Sequence, residues 1–420
     1  MDEMDEMDEM DRLVDDLDDD GEPIDDDEGL IARAARVLRP SRMLRTGELS
    51  GCLGDLGTFL PDVVALSQNR LSPYPYPASF VFFSGLWNLA SGIYFDLPLP
   101  IQPMHTVTAV SLTEGLSYAQ TVASGIWLGL FFLALGATGM VGALKRAIPL
   151  AVVRGLQLGL GLKVIGTGVG LTLRAKQWVA GGFDGRAVAC VSAAIALGCY
   201  ADRKRPASLI LFALGCVGVV LAAPPIELSL PRLPLAPMPS ITADDWWAGL
   251  YRAALPQLPV TLLNAVVSTA KLAEDLYPRR RTPGVGPISL SIAAMDLSSC
   301  PFGHFPSCHG CGGLAGQHHF GARTGSSMAL IGIVKMAVAV FLSGSLVGTF
   351  AAFPSSVLGV LLAVSGIELA ACCHDISGKF DMAVMLIGAG VTLKVGTGAA
   401  FLAAAAAAAV FRLARRDANE

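Results

Sequence analysis

Charged side chains are scarce. They make up 15% of the 420 residues, against about a quarter in an average soluble domain. The shortage is concentrated beyond Gly51, where long stretches carry almost no charge. A chain that is 53% hydrophobic and this poor in charge could not solvate the surface of a soluble globule. Lipid around the outside is the economical explanation. A disulfide framework is also missing, because the nine Cys are scattered and mostly lie in apolar runs, where Cys acts as a small hydrophobe. The amino terminus lacks the apolar stretch of a secretory signal. No nucleophile is paired with a base, so an enzyme is not expected, and neither a cofactor nor a nucleic-acid partner is called for.

The charge that exists is unevenly divided. Residues 1–29 hold 17 Asp or Glu and one base, Arg12, a net of -16. The remainder holds 29 bases and 18 acids, a net of +11. The overall -5 is thus an acidic tail joined to a basic body. The tail opens with three Met-Asp-Glu triplets and has no apolar periodicity, which reads as disorder. Glycine is abundant at 46 residues, as suits helices packed closely in lipid.

A helix needs about 20 apolar residues to cross a bilayer, or fewer where it is broken inside the protein. The expected spans are 51–68, 78–95, 103–116, 120–143, 148–170, 186–200, 206–223, 248–272, 285–300, 312–322, 326–348, 354–371, 380–394 and 396–413. The fold class expected is therefore an all-α polytopic membrane protein with 14 transmembrane segments. With the amino terminus in the cytosol, Arg33, Arg36, Arg39, Arg42 and Arg45 lie inside. So do Lys145-Arg146, Arg203-Lys204-Arg205, Arg279-Arg280-Arg281, Arg323, Lys379, Arg412, Arg415 and Arg416 at the ends of even-numbered spans. Arg174, Lys176, Arg186 and Arg232 are the outside exceptions. By the positive-inside rule both termini are cytosolic.

The fifth and twelfth spans echo each other. Ile148-Pro149-x-x-Val152-Val153-x-Gly155-Leu156 matches Phe353-Pro354-x-x-Val357-Leu358-Gly359-Val360 at an offset of 205 residues, with the glycine one position early. Thr58-Phe59-Leu60-Pro61-Asp62-Val63-Val64 in span one has a looser echo at Gln257-Leu258-Pro259-Val260-Thr261-Leu262 in span eight. The short third and tenth spans are also about that far apart. Each half then holds seven spans, and an odd number turns the second half over, giving a 7+7 inverted repeat. The boundaries follow: a tail and basic juxtamembrane segment at 1–45, a first repeat at 46–223, a linker at 224–247, a second repeat at 248–413 and a tail at 414–420.

Spans three and ten are too short to cross as simple helices, and both follow Pro- or Gly-rich sequence. An interrupted backbone in a bilayer must line a cavity or be buried in protein. Half-helices that begin there aim free N–H groups and a partial positive charge at the cavity, which suits an anion. The first start is Gln102-Pro103-Met104-His105-Thr106 and the second is His309-Gly310-Cys311-Gly312-Gly313. Proline fits a first helical turn because its missing N–H is not needed there. Glycines allow a ligand close to the backbone. The Gln102 amide can donate, and both His can donate or take a proton. His105 also fits a satisfied interior histidine, and Pro and Gly also fit a plain loop. Cys308-x-x-Cys311 near His304 and His309 has metal-like spacing but lacks a clear second ligand pair, so no metal is expected.

Among other polar residues, Asp55 in Gly54-Asp55-x-Gly57-Thr58 puts a carboxylate at the start of span one. It could relay a proton or cap N–H groups. Glu368 is a second carboxylate candidate for proton coupling. Gln257, Thr261, Asn264 and Ser268 fall at spacings of four, three and four on one face of span eight. That face can turn to the site or bond a neighbouring helix. Lys163, Lys335 and Lys394 are expected to snorkel or to be paired.

These residues resemble one family. Gly54-Asp55-Leu56-Gly57-Thr58-Phe59, Gln102-Pro103-Met104, Leu255-Pro256-Gln257-Leu258-Pro259 with Asn264, and the run from Cys308-His309-Gly310 to Phe320-Gly321-Ala322-Arg323-Thr324-Gly325 are similar to the molybdate transporter family. That family is a distant branch of the sulfate-permease superfamily. The resemblance covers about residues 46–412. It implies a core domain of spans 1–4 and 8–11 and a gate domain of spans 5–7 and 12–14. It further implies molybdate bound between the facing starts of spans three and ten and transported by an elevator-like shift of core against gate. The reading expected here is a high-affinity molybdate transporter, with Thr58, Gln102, Gln257 and Asn264 as candidate substrate-binding residues. A homodimer is implied only by analogy with the superfamily.

Two positions depart from the family pattern. His105 stands where Lys is usual, which would make affinity depend on pH if that position attracts the anion. His318-His319 stand where Tyr-Arg is usual. With the sequence ending at Glu420, the cytosolic regulatory domain of sulfate permeases is not expected. Transport of sulfate or another anion on the same fold, and an anion channel, are the rival readings. A nucleobase carrier would need acids in spans eight and ten, where this chain offers Gln257, Asn264 and none. Plasma and internal membranes are equally compatible with the sequence.

Overall fold

The computed structural model describes residues 29–142, 148–173, 177–178, 184–200, 207–222, 227–228, 232–278 and 280–417. The acidic residues before Gly29, Lys145-Arg146, Arg174, Lys176, Arg203-Lys204-Arg205 and Arg279 lie outside the described residues.

Helices dominate. Three short ones, α1 (Leu30–Val37), α2 (Pro40–Met43) and α3 (Thr46–Gly51), precede α4 (Leu56–Ser67) and α5 (Pro77–Phe95). Strand β1 (Ile101–Pro103) leads into α6 (His105–Glu114), followed by α7 (Tyr118–Ala137), α8 (Leu150–Thr172), α9 (Arg186–Tyr200) and α10 (Ala207–Ala222). Next come α11 (Ala243–Leu276) and α12 (Val285–Ser299). Strand β2 (Ser307–His309) leads into α13 (Cys311–His319), then α14 (Gly325–Phe341), α15 (Leu346–Ala351), α16 (Ser355–Ala371), α17 (Lys379–Lys394) and α18 (Thr397–Asp417). Among the described residues, six helical stretches are long and apolar enough to cross a membrane: 46–67, α5, α7, α8, α11 and one from Ser355 to Asp375.

Two features differ from an all-helical expectation. Strands β1 and β2 pair antiparallel, Gln102 opposite Cys308. Away from water each interrupted segment must satisfy its backbone groups, and here each does so largely with the other. The second difference is in α11, which winds as a π-helix over Gly249–Ala254 and again over Thr261–Ser268. Pro256 and Pro259 lie inside it and cannot donate a main-chain N–H, which disturbs the i to i−4 ladder.

Long helices meet where glycines leave the backbone bare. A Cβ at Gly332 of α14 would lie 2.5 Å from the Gly85 carbonyl of α5, and one at Gly366 of α16 would lie 2.8 Å from the Gly161 carbonyl of α8. No L side chain fits without moving a helix. Gly332→Leu should therefore lower stability by about 1–3 kcal/mol through overpacking, read as a lower melting temperature in detergent.

The basic amino-terminal segment folds onto one face. Asp96, in the left-handed conformation at the end of α5 (φ 45°), receives Arg36 at 2.7 Å, Arg42 at 3.3 Å and Arg280 at 3.1 Å. It also accepts the Gly325 N–H at 2.9 Å. Burial opposes ionisation of Asp96, but Arg280, Arg42 and Arg36 outweigh it and hold its carboxyl below the usual range. Glu48 caps the start of α14, accepting from Thr324 at 3.0 Å and from the Ser327 N–H at 3.1 Å. The segment before α4, the end of α5 and the residues after α11 and α13 thus share one face.

Candidate functional site

The pairing of β1 with β2 brings the starts of α6 and α13 together. Each strand is held from the side by one polar residue of the preceding long helix. Asn88 of α5 accepts the Ile101 N–H at 2.9 Å, and Asp296 of α12 accepts the Ser307 N–H at 3.0 Å. Two further main-chain bonds, Met104 to Pro306 at 2.9 Å and Gly310 to Pro100 at 3.2 Å, close the crossing.

A cavity of about 50 Å³ lies at this crossing. One water needs roughly 10–15 Å³, so the space takes a group several times larger. Its walls come from Gly54, Asp55 and Thr58 of the first span, Gln102 and His105, Gln257, Thr261 and Asn264 of α11, and the run Cys308–Gly313. Leu362 and Ser365 of α16 and Leu160 and Val164 of α8 complete it. No Lys or Arg lines it among the described residues. Neutral donors and helix ends provide its polarity.

The donors are already engaged with one another. Gln257 accepts the Thr106 N–H at 2.7 Å and donates to Thr261 at 2.7 Å. It therefore stands at the amino end of α6, whose N-cap Met104 offers no capping side chain, where an incoming acceptor would bind. The Gln102 amide donates to Asp55 Oδ1 and, at 2.8 Å, to Thr58, and Thr58 donates to the same Asp55 oxygen at 2.8 Å. The second carboxylate oxygen of Asp55 is buried without a hydrogen-bond partner among the described residues. Gly313 lies against this group: a Cβ there would come within 2.8 Å of Asp55 Oδ1 and of the Gln102 amide nitrogen. The glycines at the start of α13 are what let two polar side chains reach its amino end.

Not every residue singled out in the sequence reaches the cavity. Pro103 is a strand residue paired with Ser307. Met104 is fully buried, and its sulfur faces the Thr261 hydroxyl at 3.8 Å. Thr106 lines a second, larger space described below. His309 does line the cavity, with its ring bonded to Ser291 at 3.0 Å and packed edge-on to Phe95. Ser268 drops out of the polar row of α11, which the π-helical winding interrupts. Its carbonyl accepts from Gln157 of α8 at 3.2 Å. Glu368 pairs with His319 at 3.0 Å and lines neither cavity. Lys335 is buried, 3.6 Å over the Phe59 ring and 3.3 Å from Ser84, so its cation is paired with a ring rather than snorkelling.

The larger space, about 690 Å³, adjoins the first and shares Thr58, His105, Leu160, Val164 and Asn264 with it. It runs toward the carboxyl ends of α4, α6 and α8, past Asp62, Leu112, Lys163, Thr167 and Leu171. At the other end of α8 stands a buried charge group that sequence reading missed. Arg154, 2% exposed, bridges Asp275 of α11 at 2.7 Å and Asp375 beyond α16 at 2.6 Å. Lys271 adds a 2.6 Å contact to Asp275. The only sequence signal was an arginine inside an apolar repeat motif.

Solved structures share this architecture. The transmembrane domain of a cyanobacterium bicarbonate transporter, BicA, aligns with a TM-score of 0.53 at 16% identity, covering 86% of this chain and 97% of that one. The murine solute carrier 26 family member A9 anion transporter in its inward-facing state aligns at 0.57 and 12% identity, covering 88% and 68%. The chain shares the fold of these two multi-pass membrane proteins.

The family can be given more narrowly. The family model described as "Molybdate transporter of MFS superfamily" matches residues 47–164 and 249–369. Molybdate transporter 2 of Arabidopsis thaliana is 35% identical over 409 residues, covering 87% of this chain and 86% of its own. Molybdate transporter 1 of the same plant is 31% identical, covering 86% of each, and Molybdate transporter 1 of Chlamydomonas reinhardtii is 29% identical. The chain belongs to the molybdate transporter family, whose members are transporters and not enzymes.

Proposed function

We propose that this chain is a high-affinity molybdate carrier that binds the oxyanion between the amino ends of α6 and α13. One observation carries the reading. Two half-helices start at one small cavity whose polar lining is neutral donors and whose one carboxylate among the described residues, Asp55, is the neighbour of Gln102. Helix ends and amides can hold a tetrahedral dianion without a fixed cation that would retain it. On binding, Gln257 and Gln102 turn their amides to the anion. The Thr106 N–H and the N–H groups of Gly312 and Gly313 are released to it. His105, Thr58, Asn264, Gly310, Cys311 and His309 form the remaining wall.

Asp55 is the proposed proton-coupling group. A dianion beside an ionised carboxylate is repelled, so a proton on Asp55 favours binding. Glu368, held by His319, is the less suited carboxylate.

Fourteen spans in a 7+7 inverted repeat fit the helix pairing. Span i of the first half corresponds to span i+7 of the second. Spans two and eleven (α5, α14) and spans nine and four (α12, α7) pack as equivalent pairs, and spans five and twelve (α8, α16) pack on each other. Asn88 and Asp296 hold the two strands in equivalent ways. The proposed core domain is spans 1–4 and 8–11, and the gate domain is spans 5–7 and 12–14. The core shifts like an elevator against α8 and α16. Both termini are proposed to be cytosolic, in a plasma or internal membrane, and the unit to be a homodimer.

The test is uptake of labelled molybdate by cells expressing the chain, with sulfate as competitor. Saturable uptake that resists equimolar sulfate is expected. Strong inhibition by equimolar sulfate would sink molybdate selectivity, and conductance far above carrier turnover would favour a channel.

A further inference from the structure

We infer that Lys163 forms an outer capture site for oxyanions on the α8 wall of the larger cavity, through which the anion passes before it reaches Gln102 and Gln257. The inference rests on the anion-transport reading and extends it to a residue outside the inner site.

Several observations meet at this lysine. Leu160, Lys163, Val164, Thr167 and Leu171 all line the 690 Å³ cavity, and their spacing of three, one, three and four sets them on one helical face. Lys163 and Thr167 are exposed, as is Val395, 72% exposed, which lines the same space. The cavity therefore opens at this level. Lys163 is the one Lys or Arg that lines either cavity among the described residues. Its ammonium has no hydrogen-bond or ion-pair partner among them, unlike Lys335 over Phe59 or Lys271 with Asp275. Leu160 and Val164, which flank it on the same face, also line the inner cavity. The two sites thus share the Leu160 and Val164 wall of α8.

The division of labour has a physical reason. A fixed cation at the inner site would hold a dianion strongly in a confined, poorly hydrated space. The same cation in a wide, wet cavity attracts the anion with a screened interaction and lets it go on. The opposite charge is also present. Asp62 of α4 lines this cavity and has no ion-pair or hydrogen-bond partner among the described residues. His105 is the third titratable group on its walls. When ionised, Asp62 opposes entry of anions, so Lys163 and the Asp62 carboxylate set the field at the mouth with opposite signs.

The experiment measures the salt dependence and the KM of molybdate uptake for the full chain and three variants. Lys163→Gln should raise KM roughly three- to ten-fold at low ionic strength, with the maximal rate little changed, and should flatten the dependence of KM on salt. Lys163→Arg should keep the wild-type KM and slope. Asp62→Asn should shift KM the other way. A role in packing alone would not produce opposite shifts from two charge removals. If the wild type carries molybdate and Lys163→Gln leaves both KM and salt slope unchanged, the capture site is overturned while the transport reading stands. If the wild type neither binds nor carries molybdate, the transport reading falls and takes the capture site with it.

Discussion

Replacing Gln257 or Gln102 with Ala should abolish molybdate uptake, at least tenfold in kcat/KM, while the protein still reaches the membrane in normal amount. Gln257 accepts the Thr106 N–H at 2.7 Å and reaches Thr261 at 2.7 Å, so its loss removes an amide donor and strips the amino end of α6. Gln102 supplies one of the two donors to Asp55 Oδ1. Its loss leaves a buried carboxylate held by Thr58 alone. Removing a partner of a buried polar group costs about 1–3 kcal/mol and more where the group is charged, and a tenfold change needs roughly 1.4 kcal/mol, so the loss at a carboxylate reaches that size. The comparison is uptake of labelled molybdate normalised to surface protein. Normal transport by both variants would remove the anion from this cavity.

The second large effect concerns stability. Arg154→Gln should destabilise the fold by about 3 kcal/mol, the low end for breaking a buried pair. The arginine is 2% exposed, but its partners Asp275 and Asp375 have side chains 22% and 36% exposed, and water offsets part of their loss. Thermal melting in detergent should fall by several degrees. Asp275→Asn should do less, because Arg154 keeps Asp375. Asp275 lies on α11 and Arg154 on α8, so the pair also ties together the two proposed domains at the end of α8 away from the larger cavity. An unchanged melting temperature for Arg154→Gln would mean that the ion pair contributes nothing net.

Much of the chain's organisation was legible beforehand, for reasons tied to particular residues. Proline and glycine mark breaks in apolar sequence because one lacks a donor and the other has no side chain. That is why Gln102-Pro103 and Gly310-x-Gly312-Gly313 pointed to the two half-helices. Asp55, Thr58, Gln102, Gln257 and Asn264 were singled out because polar groups in apolar runs are costly without a purpose, and all five line the inner cavity. The regular fall of Arg and Lys at alternate segment ends anticipated the face where Arg36, Arg42 and Arg280 gather on Asp96. The misses have equally local causes. Met104 and Pro103 sit in the right segment but turn into the protein, because the β1–β2 pairing fixes which residues face the opening.

By itself the sequence determined that the chain is a helical membrane protein, where its helices are interrupted, and which neutral polar residues it buries. Those properties follow from composition and short-range pattern, since the bilayer imposes the same length and polarity rule on every segment. Only the tertiary structure decided that the two interruptions satisfy each other as a pair of strands. It alone joined Arg154 to acids far along the chain, and it alone put Lys163 on the wall of a cavity instead of in the lipid. Each depends on which faces of distant helices meet, and that is set by the packing of glycine-lined surfaces across the whole molecule.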